Sequence, residues 1–305
     1  MITIENLSVS FDGRTSVVDQ MDLIIEDEKI TVIIGESGSG KSVTISAILG
    51  ILPKEATVKG SIKFNGIELL ALSEREMNRL RGKVIGYVPQ GGGNSMHPLI
   101  NVGNQVAEPM VVHQKATKRK ALNKASEWMD RVGLKPAGKI MESYPHTLSG
   151  GMRQRALIAM GAAGGADVLL ADEPTKGLDD KRIDLIENLL LDLEGATIVC
   201  VTHDLRFAKR IADNVCVMYG GKVVEFADAE SFFEDPWHPY SQMLLAALPE
   251  NGLNSPDSFT PPAEEVAGCT FYSRCPKRDA DCLNDIDLAG NDNHKVRCIL
   301  NAAAN

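Results

Sequence analysis

The run "ITVII", residues 30–34, leads straight into "GESGSGKS", residues 35–42, and no other stretch constrains this chain as much. A β-branched apolar run reads as a buried strand, and "SVTISAILG" after the loop reads as a helix. Strand, glycine-rich loop and helix in that order satisfy the P-loop pattern G-x-x-x-x-G-K-S. Gly35, Gly38 and Gly40 permit backbone angles and a close approach that a Cβ blocks. Successive N–H groups, from Gly35, Glu36, Ser37, Gly38, Ser39 and Gly40 to Lys41, Ser42 and Val43, then point at a phosphate chain. Lys41 reaches the β- and γ-phosphates, and the Ser42 hydroxyl takes magnesium. The plain alternative is a polar turn between a strand and a helix. The loop alone does not say which nucleotide is bound, or for what purpose.

Bulk properties exclude several classes. The 305 residues suffice for one large domain or two ordinary ones. A net charge of −9 argues against non-specific nucleic-acid binding as the main task. No apolar run is long enough to span a bilayer. The start "MITIENLSVS" lacks a basic region and an apolar core, so no signal peptide is expected. A cytoplasmic protein follows, and any link to a membrane must run through a partner.

Two composition breaks organise the chain. Residues 1–90 read mostly as strands, interrupted by the P-loop helix and a helical "SEREMNRLRG". After the turn-rich "GGGNSMHP" the pattern is helical to about residue 164. Apolar strands and helices then alternate through "DVLLAD", "KRIDLIENLLLDL", "ATIVCVTH" and "NVCVMYGG", which implies a parallel sheet with crossover helices. An α/β core over residues 1–250 is therefore expected, divided by a helical insert at about 91–164. The stretch "LPENGLNSPDSFTPPAEE" reads as a linker within a tail region, 251–305.

The second half supplies the chemistry that the loop leaves open. "DVLLADEPT" places two carboxylates after an apolar strand, where α/β sheets collect ligands. Asp172 holds magnesium on this reading, and Glu173 deprotonates an attacking water. Gln90 ends the apolar "VIGYVPQ" and touches both magnesium and water; His203 in "VTHD" reaches the γ-phosphate. Each of the two, alone, is an ordinary strand end. In "LSGGMRQR", Ser149, Gly150 and Gly151 open a helix and make a second set of anion-seeking N–H groups. One triphosphate already has its cradle, so the second suggests another molecule's nucleotide. An ordinary N-cap of small residues is the alternative.

The six cysteines are unevenly placed. Cys200 and Cys216 lie in apolar runs and read as core. Cys269, Cys275, Cys282 and Cys298 crowd the tail as C-x5-C-x6-C-x15-C, which in a reducing compartment suggests one metal site. Spacing does not separate zinc from iron–sulfur, and four free thiols remain the third reading. His294 reads as structural.

Taken in order, these segments resemble the nucleotide-binding subunits of ATP-binding cassette transporters. "GESGSGKS" is similar to the Walker A motif of that family, Gln90 to its Q-loop and "LSGGM" to its signature. "DVLLADEPT" is similar to its Walker B, "GLDD" with Asp179 to its D-loop, and "VTHD" to its switch histidine. Phe11 matches the aromatic that stacks on adenine. The resemblance covers residues 1 to about 250. It implies a RecA-like P-loop core with an antiparallel β subdomain, a helical signature subdomain and a small cysteine-bearing tail. It also implies ATP and magnesium as ligands, and a head-to-tail pair in which each signature serine closes on the other subunit's ATP.

Met152 in the signature, "FFEDPWHPYSQMLLAALP" and the cysteine tail are similar to the oligopeptide, dipeptide and nickel importer ATPases. In some of these the four cysteines bind a four-iron four-sulfur cluster, with zinc the alternative here. The resemblance implies a second ATPase subunit, identical or a paralogue, two membrane permeases and, indirectly, an extracytoplasmic substrate-binding protein. It implies a peripheral place on the cytoplasmic face of the membrane and no nucleic-acid partner. One departure is "GGG" after Gln90, where the subfamily often has Asp-Pro. Three other functions are weighed. A chromosome-associated ATPase would carry long coiled coils, and a translation-associated one two cassettes. An ATPase attached to a soluble metabolic complex, such as phosphonate breakdown, stays open.

Overall fold

The structure is a computed structural model that describes residues 1–91, 95–248 and 268–300. Gly92, Gly93 and all but the first residue of the expected linker segment lie outside the described residues. The chain opens with strands β1 (Ile2–Ser10), β2 (Ser16–Ile25) and β3 (Ile30–Ile34). Helix α1 (Lys41–Ile48), β4 (Thr57–Phe64), β5 (Ile67–Glu68), α2 (Glu74–Leu80) and β6 (Ile85–Val88) follow. Then come α3 (Val102–His113), α4 (Lys118–Arg131), α5 (Ala137–Glu142) and α6 (Gly150–Ala163). Alternation resumes with β7 (Val168–Asp172), α7 (Asp180–Leu191), β8 (Thr197–Thr202), α8 (Leu205–Ile211) and β9 (Asn214–Tyr219). The last elements are β10 (Lys222–Asp228), α9 (Ala229–Glu234), α10 (Pro239–Ala246), β11 (Ala289–Gly290) and β12 (His294–Val296).

Two compact units result, one of residues 1–25, 31–70 and 203 onward, the other of residues 26–30 and 71–202. In the first unit, β2-β1-β4-β5 form an antiparallel sheet. Ile2, Ile4, Leu7 and Val9 of β1 are buried, and register shifts at bulges between Ile4 and Val9 keep that face inward. A mixed sheet runs β11-β12-β10-β9-β3, with β3 parallel to β9 and the others antiparallel. Every residue of β3 and β9 is buried. That is why both read as continuous apolar runs with no alternation.

The second unit is built on β8-β7-β6, all parallel, with Val168 opposite both Ile85 and Thr197. Helix α6 sits directly on β6. A Cβ added at Gly161 would lie 2.7 Å from the Tyr87 carbonyl oxygen, and one at Gly86 2.7 Å from the Gly161 carbonyl oxygen. Glycine on both sides is the condition for that contact, since ordinary side chains hold a helix farther from a sheet. Asn101, Thr117 and Ser149 cap α3, α4 and α6 through their side-chain oxygens. The architecture is α/β with antiparallel and mixed sheets, as expected from the sequence. Among the described residues no helix is long and apolar enough to cross a membrane.

Candidate functional site

In the first unit the loop at residues 35–42 joins β3 to α1. Gly35 has φ 151°, and a Cβ there would meet the Met218 carbonyl oxygen at 2.1 Å. Gly40 has φ 100°, and its Cβ would meet the Val17 carbonyl oxygen at 2.6 Å. Both positions therefore demand glycine, and the loop is pressed onto β9 and β2. Lys41 is the first residue of α1 and is 7% exposed. Its ammonium donates to the carbonyl oxygens of Gly35 and Glu36, both at 2.8 Å. The loop thus encircles a cation at a helix N-terminus, a place suited to phosphate. Ser39 is buried, Ser42 and Val43 half-buried, and Ser37 and Gly38 exposed. Phe11 and His203 belong to this unit too, and both are exposed.

Contacts to the loop come from far along the chain. Tyr240 of α10 accepts a hydrogen bond from the Glu36 N–H at 3.0 Å. Arg274 Nη1 meets both carboxylate oxygens of Glu36 at 2.9 Å. Neither partner is legible in the sequence, because nothing in their local pattern points to the loop.

In the second unit Asp172 ends β7 and is 4% exposed. Burial, and then the Asp172 charge, pushes the Tyr87 phenol up to about 12. Glu173 follows at φ 50°, left-handed for a residue with a Cβ, and its N–H donates to the Val201 carbonyl at 2.8 Å. That strained exit from the strand is held by the neighbouring strand's backbone. Gln90 is exposed and lies two residues beyond β6, which stops at Val88, so it belongs to a bend and not to the strand. Ser149 is the N-cap of α6, and its hydroxyl accepts from the Met152 N–H at 3.3 Å. Asp179 caps α7, accepting from the Arg182 N–H at 3.2 Å and pairing with the Arg182 guanidinium.

A cavity of about 540 Å³ joins these two helix starts, lined by Ser149, Gly151, Asp179, Lys135, Arg155 and Arg182 among others. Arg155 is anchored beneath it on the carbonyls of Val132 and Gly133, at 3.0 and 2.7 Å. Three cations and the α6 N-terminus around one cavity favour an anionic occupant.

Comparison with known proteins decides what this constellation belongs to. Residues 18–176 match the ABC transporter family. The chain belongs to that family. Residues 224–282 match a second model, the oligopeptide/dipeptide transporter C-terminal region. The dipeptide transport ATP-binding protein DppD of Bacillus subtilis is 35% identical over 98% of this chain and 94% of its own length. The oligopeptide transport ATP-binding protein OppD of Salmonella typhimurium is 36% identical over 93% of this chain and 88% of its own. Among solved structures, the dimeric MJ0796 bacterial ABC transporter cassette aligns with TM-score 0.69 and 27% identity, over 75% of this chain and 99% of that one. Its post-hydrolysis dimer bound to ADP and Pi aligns with TM-score 0.68 and 26% identity, over 75% and 99%. The protein has the ABC cassette fold and is an ATPase whose hydrolysis is coupled to transport.

Among its described residues, the tail of this ABC ATPase does not display the metal site expected from its cysteines. Cys269, Cys275, Cys282 and Cys298 are all free and buried. Burial pushes the Cys269 thiol up to about 11 and raises Cys275 and Cys298, and the other tail cysteines add to each rise. The four are therefore gathered in one region. Among the described residues, however, no group of three or more His, Cys, Asp or Glu side chains is placed to hold a metal ion. What holds the tail is ordinary packing and hydrogen bonding. Phe271 is fully buried against Tyr219 and Tyr240, and Arg297 donates to the carbonyls of Val223 and Ile286. Cys200 and Cys216 are fully buried core residues, with burial raising both thiols.

A buried polar knot ties the tail to β10. Glu225, fully buried, accepts from the N–H groups of Trp237 and His238 at 2.7 and 2.8 Å, and meets His294 Nε2 at 2.7 Å. His294 stacks on Trp237 at 3.8 Å. His238 Nδ1 accepts from the Tyr240 N–H at 3.1 Å and caps α10. Burial lowers His238 to about 4, against a partial opposing pull from Glu225. An unfolded chain takes up that proton near 6.5, whereas the folded one waits until about 4. Stability is therefore expected to fall by about 3 kcal/mol as pH drops through that window. Urea midpoints between pH 7.5 and 4.5 check this. His238→Asn, which keeps a capping oxygen, should flatten the slope, and an unchanged slope would reject the assignment.

Proposed function

We propose that this ABC ATPase is the motor subunit of a peptide importer. The observation that carries the reading is the match of residues 224–282 to the oligopeptide/dipeptide transporter C-terminal region. Relatives that are peptide transport ATP-binding proteins along most of their length support it. Its partners on this reading are a second ATPase subunit, two permeases and, through them, a substrate-binding protein. Its place is the cytoplasmic face of the membrane, peripherally attached. Residues 1–250 serve as the motor and 251–305 as the tail. The nickel alternative rests on resemblance alone, and neither relative named above supports it. The soluble metabolic-complex reading is not favoured by them either.

The site roles are those that the resemblance implies, and each suits the chemistry of its residue. The loop N–H groups and Lys41 cradle the phosphates of ATP, and Phe11 stacks on its base. Ser42, Gln90 and Asp172 would hold magnesium, which when bound offsets phosphate charge. A hydroxyl, an amide oxygen and a buried carboxylate are all hard oxygen donors, as magnesium requires. Glu173 takes the proton of the attacking water, and His203 positions the γ-phosphate. Ser149, Gly150, Gly151 and Asp179 serve the nucleotide of the second subunit, for which the cationic cavity around them is the support.

Uptake of labelled dipeptides and longer peptides, in cells with and without the gene, tests the reading. Uptake lost on deletion and regained with the parent gene supports it. Unchanged uptake, with soluble enzymes and no permease co-purifying, overturns it. The four-iron four-sulfur cluster, with zinc as its alternative, rests on the cysteine pattern and the gathering of the thiols. About four irons and four sulfides per anaerobically purified chain would establish it. Protein free of both metals would leave four plain thiols.

A further inference from the structure

We propose that Arg274, in the cysteine-bearing tail, is a positioning residue for the nucleotide site, acting as a strap on Glu36 of the P-loop. This rests on the reading of residues 35–42 as the nucleotide cradle. Arg274 directly precedes Cys275 and is 238 positions from Glu36 in sequence. Its guanidinium Nη1 meets Glu36 Oε1 and Oε2 at 2.9 Å each and the Tyr219 hydroxyl at 3.3 Å. Its side chain is only 8% exposed, while that of Glu36 is 38% exposed. The guanidinium lies 5.7 Å from the Tyr219 ring centre and 5.6 Å from that of Phe271.

A long cation buried against two aromatic rings has lost much of its conformational freedom before it meets the carboxylate. Its hydrogen bonds to Glu36 are therefore made at little further entropic cost. The other side of Glu36 is held as well, because its N–H donates to Tyr240 at 3.0 Å and its carbonyl oxygen accepts from Lys41 at 2.8 Å. Glu36 is thus gripped at its N–H, its carbonyl and its side chain, each by a different partner. Fixing it fixes the peptide groups on both sides, and these are the groups that face the phosphates. The tail is set by the same contacts: the Thr270 hydroxyl donates to the Tyr219 carbonyl at 3.2 Å, and Cys269 N–H donates to the Cys282 carbonyl at 2.8 Å. A change in the cysteine segment is transmitted to the loop through one residue.

The charge of Glu36 adds a second consequence. An unpaired carboxylate beside a phosphate site repels the ligand, and Arg274 neutralises it. Losing Arg274 therefore both loosens the loop and leaves a repelling charge. Because one nitrogen meets both carboxylate oxygens, a lysine ammonium can take its place.

The test is nucleotide affinity of the full-length protein, read by titration with ATP and magnesium, beside turnover in the assembled complex. Arg274→Ala is expected to weaken ATP binding about fivefold or more and to raise KM by a similar factor while kcat stays within about twofold. Arg274→Lys is expected to restore most of the affinity. Arg274→Ala combined with Glu36→Gln is expected to bind better than Arg274→Ala alone, since the repelling charge is gone. Parent-like affinity in Arg274→Ala overturns the proposal, as does a loss that Lys does not rescue. If Arg274→Ala does not fold, Arg274→Met, which keeps the long stem against Tyr219 and Phe271 and loses the charge, is read in its place: weakened binding supports the strap, and parent-like binding overturns it. Lys41→Ala separates the two readings. ATP binding in the parent that survives Lys41→Ala defeats the cradle reading. Binding that Lys41→Ala abolishes but Arg274→Ala leaves intact defeats only the strap.

Discussion

Glu173→Gln is expected to bind ATP as tightly as the parent protein and to turn it over about a hundredfold more slowly or worse. Asp172 and Glu173 leave β7 together, but they leave it differently. Asp172 is the last strand residue, whereas Glu173 stands at φ 50° with its N–H bound to the Val201 carbonyl. On the proposed reading Asp172 serves the metal and Glu173 the water. Both are nearly buried, at 4% and 7% exposure, which strengthens their electrostatic effects over those of surface groups. Glutamine has the shape of glutamate and none of its basicity, so binding survives and proton removal does not. Turnover of Glu173→Gln within severalfold of the parent, in the assembled complex, would remove Glu173 from that role.

Lys41→Ala is expected to act on the opposite parameter, weakening ATP binding about thirtyfold or more. The ammonium is 7% exposed and already stripped of most of its water, held by two loop carbonyls at 2.8 Å. It meets a phosphate at little further desolvation cost, and a charge-assisted hydrogen bond in that setting is among the stronger polar contacts. Alanine also removes a donor from the carbonyls of Gly35 and Glu36, the second of which keeps the Ser39 N–H at 3.2 Å, so the loop loses part of its own support. ATP titration of the purified variant decides the matter, and a dissociation constant within threefold of the parent would contradict it. Together the two variants separate holding the nucleotide from cleaving it.

Much of the fold was legible because its signals are local. The strands β3 and β9 are buried throughout and carry near-continuous apolar runs, with Thr31 and Asn214 as their polar residues. The loop between β3 and α1 is written in glycines that the close approach of Met218 and Val17 requires. The helix starts at Ser149 and Asp179 are capped by their own side chains, within three residues. Each of these is decided by neighbours a few positions apart, and spacing in the sequence is spacing in space. Gln90 was placed in a strand and lies two residues past one, because a short apolar run does not mark its own end.

Other features depend on residues that meet only when the chain is folded. The glycine pair Gly86 and Gly161, the Glu225 knot with His238 and His294, and the grip of Arg274 on Glu36 have no periodicity or motif to announce them. The four cysteines make the same point from the other side. Their spacing suggested a metal site, yet ligation is a matter of ångströms between side chains, and among the described residues they do not assemble one. The sequence alone determined the α/β core, the glycine loop and the order of the candidate site segments, because backbone conformation and short-range capping carry that information. Only the tertiary structure decided what presses on the loop and what the tail packs against, because burial and hydrogen bonding between remote segments are properties of the packed chain.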